Sequence, residues 1–331
     1  MGAFKLKALI FFVLGFCLCS SAMAQRFCIF DIVGKQGPLY AAMQEYKVEA
    51  KKWGANIELA SYVDERIAAE DFKAGQCDAV LLTGIRARQF NHFAGSIDSI
   101  GGATSYQALK ILIETLSYNQ QAQGLLRQNQ YEVAGVFPLG AAYLFLRDRK
   151  INSVAKIAGR KIAVLDYDPS QIKMAQRIGA QAVASDVTNF AGKFNNGMVD
   201  IVVAPAVAYL PLELYKGVGS MGVVLRLPVA QLTFQVIINP DKFPEQFAQH
   251  SRQYFYQQFD KVLKTIYQAE EDILFFFPVP VGDEPKYQEM MREARISMTK
   301  EGFYHPVMMK LMKKIRCRLQ AAQAECSDNR E

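Results

Sequence analysis

The sequence predicts an α/β fold of two lobes, each a mainly parallel sheet flanked by helices, followed by a long helical C-terminal region. Three observations carry this. Strand-like and helix-like segments alternate in the order β-α-β-α-β from residue 26, as parallel sheets with right-handed crossovers require. The same alternation restarts near residue 160. The chain is 331 residues long, more than the ~250–300 that one core comfortably fills.

The elements follow in order. Residues 1–24 read as a cleavable signal peptide. Lys5 and Lys7 give the positive flank, Ala8 to Cys19 an uncharged, mostly apolar run, and Ala22-Met23-Ala24 a small-residue site with cleavage after Ala24. The run is shorter than the roughly 20 apolar residues a membrane span needs. Arg26 to Val33 is a near-continuous apolar run, the signature of a strand buried on both faces. Pro38 suits the first turn of a helix from Leu39 to Trp53, stopped by Gly54. Ile57–Tyr62 is a second strand, Asp64 caps a helix to Lys73, and Asp78–Leu82 is a third strand.

In the second half, residues 161–165 form a strand with the exit loop Asp166-Tyr167-Asp168-Pro169-Ser170. Helices are expected at Gln171–Ile178 and Val187–Phe194, and strands at Ala182-Val183 and Asp200–Ala204. Gln235–Asn239 reads as one strand crossing back between lobes. Helices dominate from Pro244, the longest at Phe255–Ile273 and Lys310–Ala324, and Phe275-Phe276-Phe277 reads as core. The expected division is a first lobe at 25–145, a second at 146–230, and a region 231–331 that completes both.

Charge and chemistry narrow the function. Lys and Arg total 38 against 32 Asp and Glu, a net +6 that is mild and spread out, which argues against nucleic acid as a partner. The three histidines, His92, His250 and His305, have no metal-ligand spacing, so no metal or other cofactor is expected. There is no Gly-x-Ser-x-Gly elbow, P-loop or dinucleotide fingerprint after a strand. The expectation is not an enzyme, with no catalytic residues to name. Two α/β lobes joined by crossing strands close on a ligand between them.

Four of the six cysteines lie beyond the leader: Cys28, Cys77, Cys317 and Cys326, which allow three pairings. In a strand order 2-1-3 the first and third strands are neighbours, ~4.8 Å apart, and Cys28 and Cys77 sit near their amino ends, so this pair is predicted to bridge. Cys317 and Cys326 then pair by elimination. Nine residues of unbroken helix span ~13.5 Å, so the helix must end before Cys326.

The second half resembles the solute-binding proteins of TRAP (tripartite ATP-independent periplasmic) transporters, or a related group of periplasmic solute-binding proteins. The residues that carry the resemblance are Lys150-Ile151-Asn152-Ser153, Gly159-Arg160-Lys161-Ile162-Ala163-Val164, Gly179-Ala180 and Gly197-Met198-Val199-Asp200-Ile201. The resemblance implies a type II periplasmic-binding-protein fold and a monomer. It also implies capture of a small polar solute and its delivery to membrane transporter subunits. In that family an arginine on the Lys-Ile-Arg-Val strand grips a ligand carboxylate through two parallel charge-assisted hydrogen bonds. Position 163 here is alanine. A replacement grip, a ligand of another class, or an accessory protein of an envelope transport or efflux system with a weakened ligand site all fit that change.

Candidate ligand-binding residues follow from strand ends, where open α/β sheets bind ligands. Lys35 and Gln36 lie on the first loop, and Arg86 and Arg88 after the third strand, either as an anion grip or as solvated loop residues. Asp166, Tyr167 and Asp168 leave the strand that carries Ala163, with turn and helix-cap chemistry as the plainer reading. Pro205 and Tyr209 follow the Asp200–Ala204 strand, and Tyr143, Arg226 and Gln231 lie near the expected crossovers. The amphipathic tail of Lys310, Lys313, Lys314, Arg316 and Arg318 reads as a packed helix with a solvated face, with contact to a membrane surface or a partner as the other reading.

Overall fold

A computed structural model describes residues 24–331, so the leader, with Lys5, Lys7 and the apolar run, lies outside the described residues. The strands are β1 (Gln25–Phe30), β2 (Ile57–Tyr62), β3 (Ala79–Thr83), β4 (Arg127–Gln128), β5 (Tyr131–Leu146), β6 (Lys161–Leu165), β7 (Gln181–Ser185), β8 (Ile201–Pro205), β9 (Val223–Ile238) and β10 (Phe276–Phe277). They form one sheet in the order β2-β1-β3-β9-β5-β8-β6-β7, with β4 paired to β5 and β10 to β9.

Each end of this sheet is parallel: β1 pairs with β2 and β3, and β6 with β7 and β8. The long strands β5 and β9 join the ends as an antiparallel pair. The lower part of β9 borders β3, and the upper part of β5 borders β8. The pair is irregular where it passes from one end to the other, with register shifts between Pro138 and Gly140 and between Ala142 and Leu144. Gly140 sits there at φ 125°, in the region glycine tolerates.

The apolar runs are continuous because both faces of the sheet are covered. In β1, Phe27 and Ile29 pack with Met43, Tyr46, Phe247 and Phe255 on one face. Cys28 and Phe30 face the other way, onto Phe72, Leu109, Leu112, Met308 and Met312. The helix Pro38–Lys52 has Pro38 in its first turn, and Asp31 accepts from the Leu39 and Tyr40 N–H groups at 3.0 Å. Asp64 caps the helix Glu65–Lys73 by accepting from the Arg66 N–H.

Several expected boundaries move. One crossing strand at Gln235–Asn239 becomes two 16-residue strands, β5 and β9. The first was hidden by Gly135, Pro138 and Gly140, which punctuate its pattern. The helix expected at Phe255–Ile273 is two helices, Phe247–Gln257 and Phe259–Glu271, meeting at Gln258. That expected at Val187–Phe194 is Phe190–Asn195, and the last is Pro306–Leu319, begun by Pro306 and capped by His305. Only the middle of the phenylalanine triplet reaches the core: Phe276 packs against Tyr143, while Phe275 takes a positive φ and Phe277, in the short β10, is 52% exposed.

Cys28 and Cys77 are bridged across β1 and the entry to β3, with Cα atoms 6.0 Å apart. Cys317 and Cys326 are bridged at 5.6 Å, since the helix ends at Leu319 and the chain turns back through Ala324–Ser327. The tail helix buries Met308, Met309, Met312 and Ile315, and its Arg316 pairs internally with Glu325 and Glu331. Among the described residues no helix is long and apolar enough to cross a membrane.

Candidate functional site

A cavity of about 210 Å³ lies between the two parallel ends of the sheet, beside the strand pair that joins them. One wall comes from β6, β8 and the helix Pro169–Arg177, with Ile162, Val164, Leu165, Pro205 and Met174. The facing wall carries Thr83 at the end of β3, Ile85 just after it, Asp98, Ile100 and Tyr304. Val229, Ala230 and Leu232 of β9 close the floor. Ala163 contributes a methyl group to this wall and no charge.

Two polar contacts join the walls. The first centres on Glu65, fully buried at the start of the helix Glu65–Lys73. Its carboxylate accepts from the Thr83 hydroxyl at 2.8 Å, from Arg86 Nε at 3.4 Å, and from the Tyr167 hydroxyl at 2.5 Å. The Arg86 guanidinium lies 3.2 Å from the centre of the Tyr167 ring, close enough for a cation–π contact. Burial pushes the Glu65 carboxyl up, against the opposing pull of Arg86, Tyr167 and Thr83. Burial, then the Glu65 charge, holds the Tyr167 phenol well above its ordinary range, so it remains a donor.

The second contact is Arg88 Nη1 to Asp168 Oδ1 at 2.9 Å. Arg88 Nε also donates to the Gly95 carbonyl at 3.0 Å. Asp168 caps the helix Pro169–Arg177, accepting from the Ser170 N–H at 3.1 Å and hydroxyl at 2.7 Å. Helix capping and a cross-wall ion pair thus share one carboxylate. Arg86 and Arg88, candidates for a ligand grip, are both engaged with protein carboxylates.

Sequence reasoning missed Asp98. It lies on no motif, but the cavity wall includes it. Its Oδ1 accepts from the Thr233 hydroxyl at 2.6 Å and its Oδ2 from the Thr233 N–H at 3.0 Å. Gly84 permits this approach, because a Cβ there would collide with Asp98 and Thr233. Burial pushes the Asp98 carboxyl up to about 7, although Thr233 and Arg88 pull it down.

The other candidates are dispersed. Pro205 and Asp168 line the cavity. Lys35, Gln36 and Asp166 are exposed on loops outside it. Arg226 is exposed, 4.6 Å from the Phe276 ring. Tyr209 is buried against Phe145. Tyr143 donates to Glu270 at 2.8 Å, as Tyr106 does at 2.6 Å, away from the cavity. Gln231 is 1% exposed and belongs to that opposite face, paired with Ala141 in the β5–β9 ladder. Neither Tyr143 nor Gln231 lines the cavity, although their neighbours Ala142, Ala230 and Leu232 do.

Two α/β ends joined by long crossing strands, with a cavity between them, are the architecture of a two-lobed binding protein. The family model for solute-binding protein AdeT 1/2 matches residues 25–331, and the chain belongs to that family. It is 44% identical over 305 residues to the probable solute-binding protein AdeT1 of Acinetobacter baumannii, covering 92% of this chain and all of the relative. AdeT2 of the same organism is 28% identical over 238 residues, 71% of this chain and all of that protein. The fold is shared with a TRAP periplasmic solute-binding protein from Desulfovibrio salexigens with bound orotic acid. That match has a TM-score of 0.73 at 15% identity, over 89% of this chain and 99% of the other. It is shared also with one from Rhodobacter sphaeroides in an open form without ligand, at a TM-score of 0.65 and 14% identity, over 89% and 99%.

Proposed function

We propose that this chain is a periplasmic receptor that captures a small solute in the cavity between its lobes and hands it to a membrane transporter. The observation that carries the reading is the cavity between the two ends of the sheet, with Asp168, which pairs with Arg88, on its wall. Its volume lies below the roughly 300–1,000 Å³ of drug-sized sites, so the solute is small. Residues 1–24 direct export and are removed after Ala24. The lobes are 25–145 and 146–230, residues 231–331 complete both, and the receptor works as a monomer. The Glu65–Tyr167 and Arg88–Asp168 contacts close the lobes over the solute and part to release it.

The orotic acid held by the Desulfovibrio salexigens protein does not carry over. Ala163 supplies no fork for a carboxylate, and Arg86 and Arg88 are spent on Glu65 and Asp168. The same observation favours a second reading, an accessory protein of an envelope transport or efflux system that keeps the fold with a weakened ligand site.

Native mass spectrometry and thermal shift against a metabolite library separate the two. The receptor reading expects a solute that binds the wild type and is lost in Ala230→Phe, which fills the cavity floor. Retention of no metabolite, together with co-purification of an intact membrane complex in the absence of solute, would establish the accessory role instead.

A further inference from the structure

We propose that the solute is a small organic cation, a protonated amine on an apolar body, whose ammonium group docks at Asp98 and Asp168. This rests on the receptor reading above and specifies the ligand of the same cavity.

Among the described residues the wall is aliphatic and aromatic except for a few polar groups, and its only ionisable carboxyl side chains are those of Asp98 and Asp168. No lysine, arginine or histidine lines it. The nearest guanidinium, Arg88, is already shared between Asp168 and the Gly95 carbonyl. A ligand carboxylate would therefore meet two acidic side chains and no free cation, an arrangement that selects against acids.

The two carboxylates are set up as acceptors. Both oxygens of Asp98 take hydrogen bonds from Thr233, each leaving a further lone pair. Asp168 Oδ1 is saturated by Arg88 and Ser170, while its Oδ2 has no protein donor among the described residues. The charged and titratable groups facing Asp98 are Arg88 and Asp168, with Tyr304 on the same wall. Once Asp98 is ionised, one guanidinium between two carboxylates leaves this end of the cavity one positive charge short. Burial makes the Asp98 charge costly in the empty protein, and a bound ammonium offsets that cost. The apolar remainder of the wall, including Ile162, Val164, Met174, Val229 and Leu232, suits a hydrocarbon body.

The test is calorimetric titration of the mature, disulfide-bonded chain with matched probes. These are primary amines from propylamine to 2-phenylethylamine, and 3-phenylpropionate as the isosteric acid of the largest. An amine binds, and the acid binds at least 100-fold more weakly. Amine affinity falls about tenfold from pH 8 to pH 6, as Asp98 takes up its proton while the amine stays charged. Asp98→Asn weakens the amine at least tenfold, and Asp166→Asn, an exposed acid outside the cavity, leaves it unchanged. The wild-type preference for amine over acid does not depend on how well either variant folds. Binding of the acid as tight as that of the amine, or no binding of any amine, overturns the inference. The receptor reading survives that result if the library yields a neutral or acidic solute lost in Ala230→Phe, and falls with it if the library yields none.

Discussion

Replacing Tyr167 by Phe removes one hydroxyl and keeps the ring that Arg86 covers. The lost bond is the 2.5 Å donation to the buried Glu65, which joins a loop beyond β6 to a helix packed beside β3. A hydrogen bond to a charged group contributes about 1.5–3 kcal/mol. If the bond forms only when the lobes are closed, the closing equilibrium shifts toward open by roughly 10–150-fold. Solute affinity falls with the closed fraction, because only that state encloses the ligand. Small-angle scattering of the unliganded variant should show a larger radius of gyration than the wild type. Calorimetry should show weaker solute binding, while thermal stability changes little, since neither lobe's core is touched. Unchanged scattering together with unchanged affinity would refute the idea that this contact governs closure.

Further predictions concern stability. Glu331→Gln removes a buried carboxylate that pairs with Arg295 and Arg316, leaving Glu325 as the carboxylate they share beside the Gly101 and Gly102 carbonyls. The expected loss is about 3 kcal/mol, read by urea denaturation at pH 7. Burial pushes the Glu331 carboxyl up, but the two arginines outweigh it and hold it low, so its contribution is present at neutral pH and is lost as pH falls below the ordinary glutamate range. Opening the Cys28–Cys77 bridge with a Cys28→Ser, Cys77→Ser pair frees a loop of 49 residues and should cost about 4 kcal/mol by the same assay. Asp98 behaves oppositely to Glu331. Its folded pKa of about 7 lies above the ordinary 3.8, so the empty wild type loses stability as pH rises between these values. Asp98→Asn should flatten that part of the pH profile of the melting temperature, and an unchanged profile would contradict the assignment.

The parallel ends of the sheet were legible because β1, β3, β6 and β8 are short apolar runs bounded by glycine, proline and aspartate. The Cys28–Cys77 pairing followed from strand order alone. The crossing strands were only partly legible. In β5 and β9, Gly140, Pro138 and Pro228 interrupt the alternation because the strands bend where they pass between the ends. The site divides along a similar line. Strand-end reasoning reached the cavity's neighbourhood, since topology places loops: Asp168 and Pro205 line it, and Arg86, Arg88 and Tyr167 make the contacts beside it. It could not see that the arginines face protein carboxylates, because Glu65 lies on a helix whose sequence reads as an ordinary capped segment. Asp98 escaped for the same reason: its burial depends on Gly84 and Thr233, far away in the chain. Tyr143 and Gln231 lie on the crossing strands but do not line the cavity: Tyr143 is held by Glu270 and Gln231 is buried opposite Ala141.

The central claim is that the cavity between the lobes holds the solute. A crystal structure of protein purified without refolding, with the best binder from the library soaked in, tests it most directly. The account predicts ligand density bounded by Ile162, Val164 and Ala230, with a cationic group within hydrogen-bond distance of the Asp98 carboxylate. Density for that binder at any other place, with the cavity empty, would contradict it.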